Sequence, residues 1–387
     1  MHPPFEALNL ELAKAKTQDR YRVRRVLDSS PGVRVTVAGR ELLSFCSNDY
    51  LGLAGDPRVV EAWQRGASEY GVGAGASHLV SGHTRAHHAL EEALADFMQA
   101  KRALLFSTGY MANLGVVNAL CSPRSRIAED KLNHASLIDA ARLTQAKLKR
   151  YRHNDTEWLA TWLNENESVS LIATDSVFSM DGDVARLSSL HALARNHGAW
   201  LLVDEAHGIG VLGPQGRGAA ADAAIQPKAE VIAMGTLGKA FGVFGAFVAG
   251  DTCVIETLVQ RARTYVYTTA LPPALAVALL ASLRIVREEV WRREKLQALI
   301  AHFRNGVRAL SFKVLDSATP IQPLVVGTAS AALALSQALE AQGLWVPAIR
   351  PPTVPEGSAR LRISFSAAHT ENDVDRLLEA LSNAKSK

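Results

Sequence analysis

Between residues 103 and 248, short apolar runs alternate with helix-length segments. The runs ALLF (103–106), SLIAT (170–174), WLLV (200–203), VIAM (231–234) and GAFVA (245–249) have the length and composition of strands buried on both faces. Residues 113–120, 158–163 and 187–196 lie between them and predict helices. Such alternation predicts βαβ units and a mainly parallel sheet. Upstream, residues 8–27 read as a polar helix with an apolar stripe, and 33–37 with 42–45 as a hairpin turning at Gly39. Beyond about Val254 the chain becomes helical, with a buried helix after Pro272-Pro273 and strand-like runs at 321–326 and 360–364. The expected fold class is α/β. A large domain would span 46–275, and residues 1–45 and 276–387, from the two chain ends, would form a smaller α+β domain.

Length agrees with that division, because 387 residues exceed what one hydrophobic core usually serves. Hydrophobic residues at 48% and charged residues at 21% exclude a disordered chain. The net charge of +4 and pI near 9.0 come from scattered basic residues. The densest cluster, Arg20, Arg22, Arg24 and Arg25, is short and interleaves a single aromatic, Tyr21, so nucleic acid is not an expected partner. A mild positive bias suits anionic small molecules. Cys46, Cys121 and Cys253 show no paired spacing, which argues against a disulfide framework and suits a reducing cytoplasm. The start, MHPPF, lacks the charged-then-apolar pattern of a signal peptide, and the longest apolar run, 274–283, is too short for a bilayer. No membrane partner is expected.

The candidate chemistry starts with a lysine. VIAM is followed by Gly235-Thr236-Leu237-Gly238-Lys239-Ala240-Phe241-Gly242, which sets an amine among glycine and apolar residues at a strand end. Withdrawal from water lowers an ammonium pKa and frees the neutral amine that attacks a carbonyl. The plainer alternative is a lysine in a glycine-rich surface loop. A second segment tips the balance: WLLV ends in Asp204-Glu205-Ala206-His207-Gly208. Ligands of open α/β sheets bind beyond the carboxyl ends of strands, so Asp204 and His207 would face the crevice that holds Lys239. A lysine and an acid at two strand ends meet the needs of pyridoxal phosphate, a Schiff-base amine and a carboxylate on the ring nitrogen. At about 3 Å and an effective dielectric of ~20, that carboxylate attracts a protonated ring nitrogen by roughly 5 kcal/mol before desolvation.

Other readings of these motifs fail on spacing. Asp204-Glu205-Ala206-His207 matches a helicase motif, but Gly238-Lys239 is followed by Ala240, and Ala233 stands where a phosphate-loop ATPase needs glycine. Gly71, Gly73 and Gly75 are mis-spaced for a dinucleotide loop. His83 and His87 lie one helical turn apart beside His88, but no further ligand cluster accompanies them, so no metal is expected. Ser107-Thr108-Gly109-Tyr110 joins a strand to a helix, where backbone N–H groups suit a phosphate; a simple helix cap is the alternative.

From about Tyr21 to Leu381 the chain resembles the α-oxoamine synthases, fold-type-I pyridoxal-phosphate enzymes with an aspartate-aminotransferase-like fold, and most of all their biotin-pathway branch. Asn48-Asp49-Tyr50-Leu51-Gly52-Leu53, the segment from Asp204 to His207 and the segment around Lys239 carry the family pattern. Ser77-His78-Leu79-Val80-Ser81-Gly82-His83 and Ile349-Arg350-Pro351-Pro352-Thr353-Val354-Pro355 resemble the biotin branch in particular. Asn133-His134-Ala135-Ser136 and the segment from Phe178 to Asp183 add to it. The resemblance implies a Schiff base on Lys239, Asp204 on the ring nitrogen, His134 stacked on the ring, and Ser179 and His207 against the cofactor. It implies phosphate contacts from Gly109, Tyr110 and Thr236. Asn48 and Arg362 match groups that hold an amino-acid carboxylate, and Arg22 and Thr353 match substrate positions; the arginines flanking Arg22 leave its register open. The implied substrates are L-alanine and a pimeloyl thioester on CoA or a carrier protein. Another α-oxoamine synthase using glycine and a different acyl-CoA is the alternative. The implied assembly is a homodimer.

Overall fold

A computed structural model describes residues 4–166 and 168–385. Met1 to Pro3, where the amino-terminal reading begins, lie outside the described residues. The chain divides into two compact units. The larger comprises Asp49–Ser179 and Asp183–Glu294, and the smaller Met1–Asn48, Met180–Gly182 and Lys295–Lys387.

The larger unit is built on a seven-stranded sheet. Its strands are β1 (Arg102–Phe106), β2 (Arg126–Asp130), β3 (Lys147–Tyr151), β4 (Leu171–Asp175), β5 (Trp200–Asp204), β6 (Val231–Thr236) and β7 (Ala246–Gly250). Their order is β1-β7-β6-β5-β4-β2-β3, with β7 antiparallel to both neighbours and the other pairs parallel. The expected mainly parallel sheet is therefore present. β2 and β3 escape the sequence pattern. β2 ends in buried Glu129 and Asp130, and β3 (KLKRY) is an edge strand with exposed charges, so neither reads as an apolar run.

Side chains alternate between two cores, as a period of two requires. Leu202 and Ile232 pack with Val116, Leu137 and Leu258 on one face. Leu201, Val203 and Val231 pack with Leu159, Leu163, Leu187 and Leu190 on the other. Helices thus cover both faces, which explains why the central strands are apolar throughout. The helices predicted at 113–120, 158–163 and 187–196 are Gly109–Leu120, Thr156–Glu165 and Leu187–Asn196. Helix Pro273–Glu288 belongs to this unit as well, so the boundary expected at 275 falls inside a helix. The reason is close packing on helix Pro57–Tyr70: a Cβ on Gly66 would come within 2.9 Å of Ala274 Cα and Val277 Cβ.

The smaller unit contains the expected hairpin, Arg34–Val37 with Arg40–Ser44, closed by Ala38 (φ 50°) and Gly39 (φ 72°). Two successive positive φ angles make the tight turn that fits strand twist. Strand Ile321–Gly327 pairs antiparallel with Ala359–Ser364, and helices complete an α+β unit. The helix expected over 8–27 differs: it spans Pro4–Thr17 and stops before Asp19 (φ 55°). Past that point Arg25 makes a two-pronged ion pair with Glu340 at 2.7 and 3.0 Å, a tertiary contact that local periodicity does not encode. Among the described residues, no helix is long and apolar enough to cross a membrane.

Candidate active site

The carboxyl ends of β4, β5 and β6 bring the chemistry together. Parallel register sets Asp175 opposite Asp204, and Asp204 opposite Met234. Past Thr236 the chain makes a tight loop back into β7, with Leu237 N–H donating to Gly245 O (2.8 Å) and Gly242 N–H to Lys239 O (2.8 Å). Gly242 has φ 68°, and a Cβ there would meet Ala54 N at 2.4 Å, so the loop that presents Lys239 needs glycine.

The result is a cavity of about 210 Å³. Gly109, Tyr110, His134, Ser179, Asp204, His207, Thr236 and Lys239, the large-unit residues singled out from the sequence, all line it. Lys239 Nζ lies 2.9 Å from His207 Nε2, and His207 Nδ1 lies 2.7 Å from the hydroxyl of fully buried Tyr50. Asp204 is anchored at both oxygens: Ala206 N–H donates to Oδ1 (2.9 Å) and Asn113 Nδ2 to Oδ2 (2.7 Å). Next along the strand, Glu205 is sealed inside, accepting from Ser176 Oγ and from the N–H groups of Ala219 and Ala220. Burial raises its pKa and those bonds pull it back. Asp175, fully buried, is held well above the usual carboxylate range by burial and then by the Asp204 charge. It accepts from His134 N–H at 2.8 Å.

His134 caps helix Ala135–Leu143: its Nδ1 accepts from Ser136 N–H (3.2 Å) and lies 2.8 Å from Ser136 Oγ. Burial lowers its pKa, with Asp204 opposing and Lys239 assisting. A neutral ring that accepts at Nδ1 carries its proton on Nε2. At the opposite end, Thr108 caps helix Gly109–Leu120 by accepting from Met111 N–H, and a Cβ on Gly109 would lie 2.7 Å from Thr236 Cγ2. Thr236 Oγ1 donates to Ala206 O at 3.2 Å.

Sequence reasoning missed Asn113, Tyr50, Asp175 and Ser136. Tyr50 and Ser136 sit inside recognised motifs, but asparagine in an apolar helix or aspartate at a strand end carries no local signal. In the smaller unit, Arg362 Nη1 donates to Asn48 Oδ1 (3.2 Å) and Ser364 Oγ (2.8 Å), and Arg22 Nη2 lies 3.4 Å from Thr353 Oγ1.

A separate histidine group, His78, His83 and His87, has ring nitrogens close enough for a metal ion, and His83 and His88 meet Glu91 in a second such group, so further ligands do accompany these histidines, contrary to the expectation from spacing. Hydrogen bonds already occupy both ring nitrogens of His87 and one each of His78 and His83. His87 Nε2 donates to Leu271 O (2.7 Å) while Nδ1 accepts from Thr84 N–H (3.0 Å), and His78 Nδ1 bonds His83 Nδ1 (2.9 Å).

The cavity fits pyridoxal phosphate. It exceeds the ~150 Å³ that accommodates a benzene ring. It also pairs a side-less helix start for a phosphate with an amine and an anchored carboxylate for a pyridine ring. Fold and cavity together define a fold-type-I pyridoxal-phosphate enzyme.

A family model described as "Aminotransferase class I and II" matches residues 40–381. The 8-amino-7-oxononanoate synthase of Nitrosococcus oceani is 57% identical over 373 residues, covering 96% of this chain and 99% of that one. Among solved structures, a serine palmitoyltransferase variant from S. paucimobilis carrying pyridoxal phosphate joined to myriocin superposes with a TM-score of 0.92 at 30% identity, covering 99% and 97%. An 8-amino-7-oxononanoate synthase from Francisella tularensis gives 0.79 at 34%, covering 89% and 98%. The chain belongs to the class I and II aminotransferase family, within its 8-amino-7-oxononanoate synthase branch.

Proposed function

We propose that the protein condenses L-alanine with a pimeloyl thioester, releasing carbon dioxide and the free thiol and forming 8-amino-7-oxononanoate for biotin biosynthesis. The names of relatives at 54–57% identity support this reading. The observation that carries it is the placing of Lys239, His207 and Asp204 around one cavity at neighbouring strand ends. Pyridoxal phosphate, when bound, supplies an aldehyde for amines and a ring that takes up the electron pair left at an amino acid's α-carbon.

The chain's own residues do the rest. Lys239 Nζ would hold the cofactor and, as a free amine, would accept the α-proton of alanine as general base. Asp204, fixed by its two donors, keeps a proton on the ring nitrogen. His207, braced by Tyr50, serves the ring's phenolic oxygen. His134 stacks on the ring and offers its Nε2–H to the substrate, with Ser179 beside the cofactor. Gly109, Tyr110 and Thr236 take the phosphate. We assign the amino-acid carboxylate to Asn48 and Arg362, whose planar fork suits it, and the acyl substrate to Arg22 and Thr353. The donor thiol belongs to CoA or a carrier protein, and the working form is a cytoplasmic homodimer.

Mass spectrometry of products decides the reading. Purified protein given alanine and pimeloyl-CoA should yield 8-amino-7-oxononanoate. Turnover of glycine with a shorter or longer acyl-CoA, and none with this pair, would move the chain to another α-oxoamine synthase.

A further inference from the structure

Asn113 is fully buried on helix Gly109–Leu120, one turn from Gly109. Its amide nitrogen donates to Asp204 Oδ2 at 2.7 Å and to Ser136 Oγ at 2.9 Å. Its carbonyl oxygen, equally buried, has no hydrogen-bond partner among the described residues. Flipping the amide would turn that oxygen onto the Asp204 carboxylate, acceptor against acceptor, so chemistry selects the orientation present. A buried orphan acceptor is a standing cost that a residue kept only for packing would not incur, since leucine fills similar space without it. Here the cost is offset by two aimed N–H bonds. Ser136 Oγ receives one of them and lies 2.8 Å from His134 Nδ1, so a single amide ties the carboxylate to the histidine across the cavity.

We propose that Asn113 is a positioning residue for the reaction: it aims Asp204 at the cofactor's ring nitrogen and, through Ser136, couples that carboxylate to His134. The same helix presents its start, with Gly109, to the phosphate. One rigid element thus sets the phosphate end and the ring-nitrogen end of the cofactor together. This rests on the assignment of Asp204 to the ring nitrogen made above.

A double-mutant cycle read by pyridoxal-phosphate affinity tests it. Asn113→Leu should weaken the cofactor's equilibrium affinity by about tenfold, the scale of one hydrogen bond to a charged group. In an Asp204→Asn background the same substitution should cost less than about threefold, because its partner's charge is gone. The visible spectrum of bound cofactor should shift in Asn113→Leu towards that of Asp204→Asn, and loss of stability alone would not move it. Equal losses in both backgrounds, or wild-type affinity and spectrum in Asn113→Leu, would overturn the proposal. Should Asn113→Leu fail to fold, Asn113→Ala runs the same cycle, with the same non-additivity expected. Asp204→Asn with wild-type affinity and spectrum would instead overturn the role of Asp204 itself.

Discussion

The larger unit contains two groups of histidines, and their contrast shows what separates chemistry from packing. At the carboxyl edge, His134 commits Nδ1 to Ser136, His207 meets Tyr50 at Nδ1 and the reactive Lys239 at Nε2, and both rings line a cavity. In the second group His87 commits both nitrogens to hydrogen bonds with backbone, while His78 stacks on Tyr265 and bonds His83. Burial, then His87 and His83, hold the His78 pKa at about 3, so it stays neutral across the working range. By number of histidines alone, the second group holds the greater promise. Following each lone pair to its partner reverses that ranking.

The largest test of that contrast is Lys239→Ala. It should leave no detectable product and abolish the visible absorbance of covalently held cofactor; an unchanged spectrum would remove the amine from the first group. Next comes His134→Phe, which keeps a flat ring and loses the Nε2 donor. Turnover should fall by about a hundredfold, the cost of one aimed donor, while loss of the helix cap at Nδ1 lowers stability by only about 1 kcal/mol. In the second group His87→Leu should do the opposite. It should lower unfolding free energy by roughly 1–3 kcal/mol in denaturant titrations, from a lost cap and a stranded carbonyl, with kcat intact. Tight stoichiometric zinc uptake by the wild-type protein, lost in that variant, would break the comparison.

The smallest effect belongs to a third kind of histidine. His153 sits between Asp130 (3.0 Å) and Asp183 (2.8 Å). Burial opposes its charge, yet the bonds to both aspartates raise its pKa to about 10. A folded-state pKa above the unfolded value near 6.5 adds stability that is complete below 6.5 and lost as pH climbs towards 10. The stability gap between wild type and His153→Gln should therefore shrink over that window in unfolding curves; a gap that widens would refute the charged pair.

The pattern of apolar runs makes five of the seven strands legible, because β1, β4, β5, β6 and β7 bury apolar side chains along nearly their whole length. β2 buries Glu129 and Asp130 and β3 shows its charges at the sheet edge, and no hydrophobic periodicity reports either. Lys239, Asp204 and His207 are legible for a related reason: a polar residue just past an apolar strand points at the ligand edge. Asn113 is not, since its meaning lies in Asp204, far along the chain and adjacent only after folding. The helix predicted over 8–27 ends at Thr17, and beyond it the chain makes tertiary contacts such as Arg25 with Glu340 that local periodicity does not report.

The strand order also sets a timetable. β1, the first strand of the sheet to leave the ribosome, pairs with β7, the last. Until the whole span between them has emerged, β1 and the helix that follows it lack their final seat. The chain therefore cannot grip its vitamin early, and a truncated translation product ending before β7 would be blind to it.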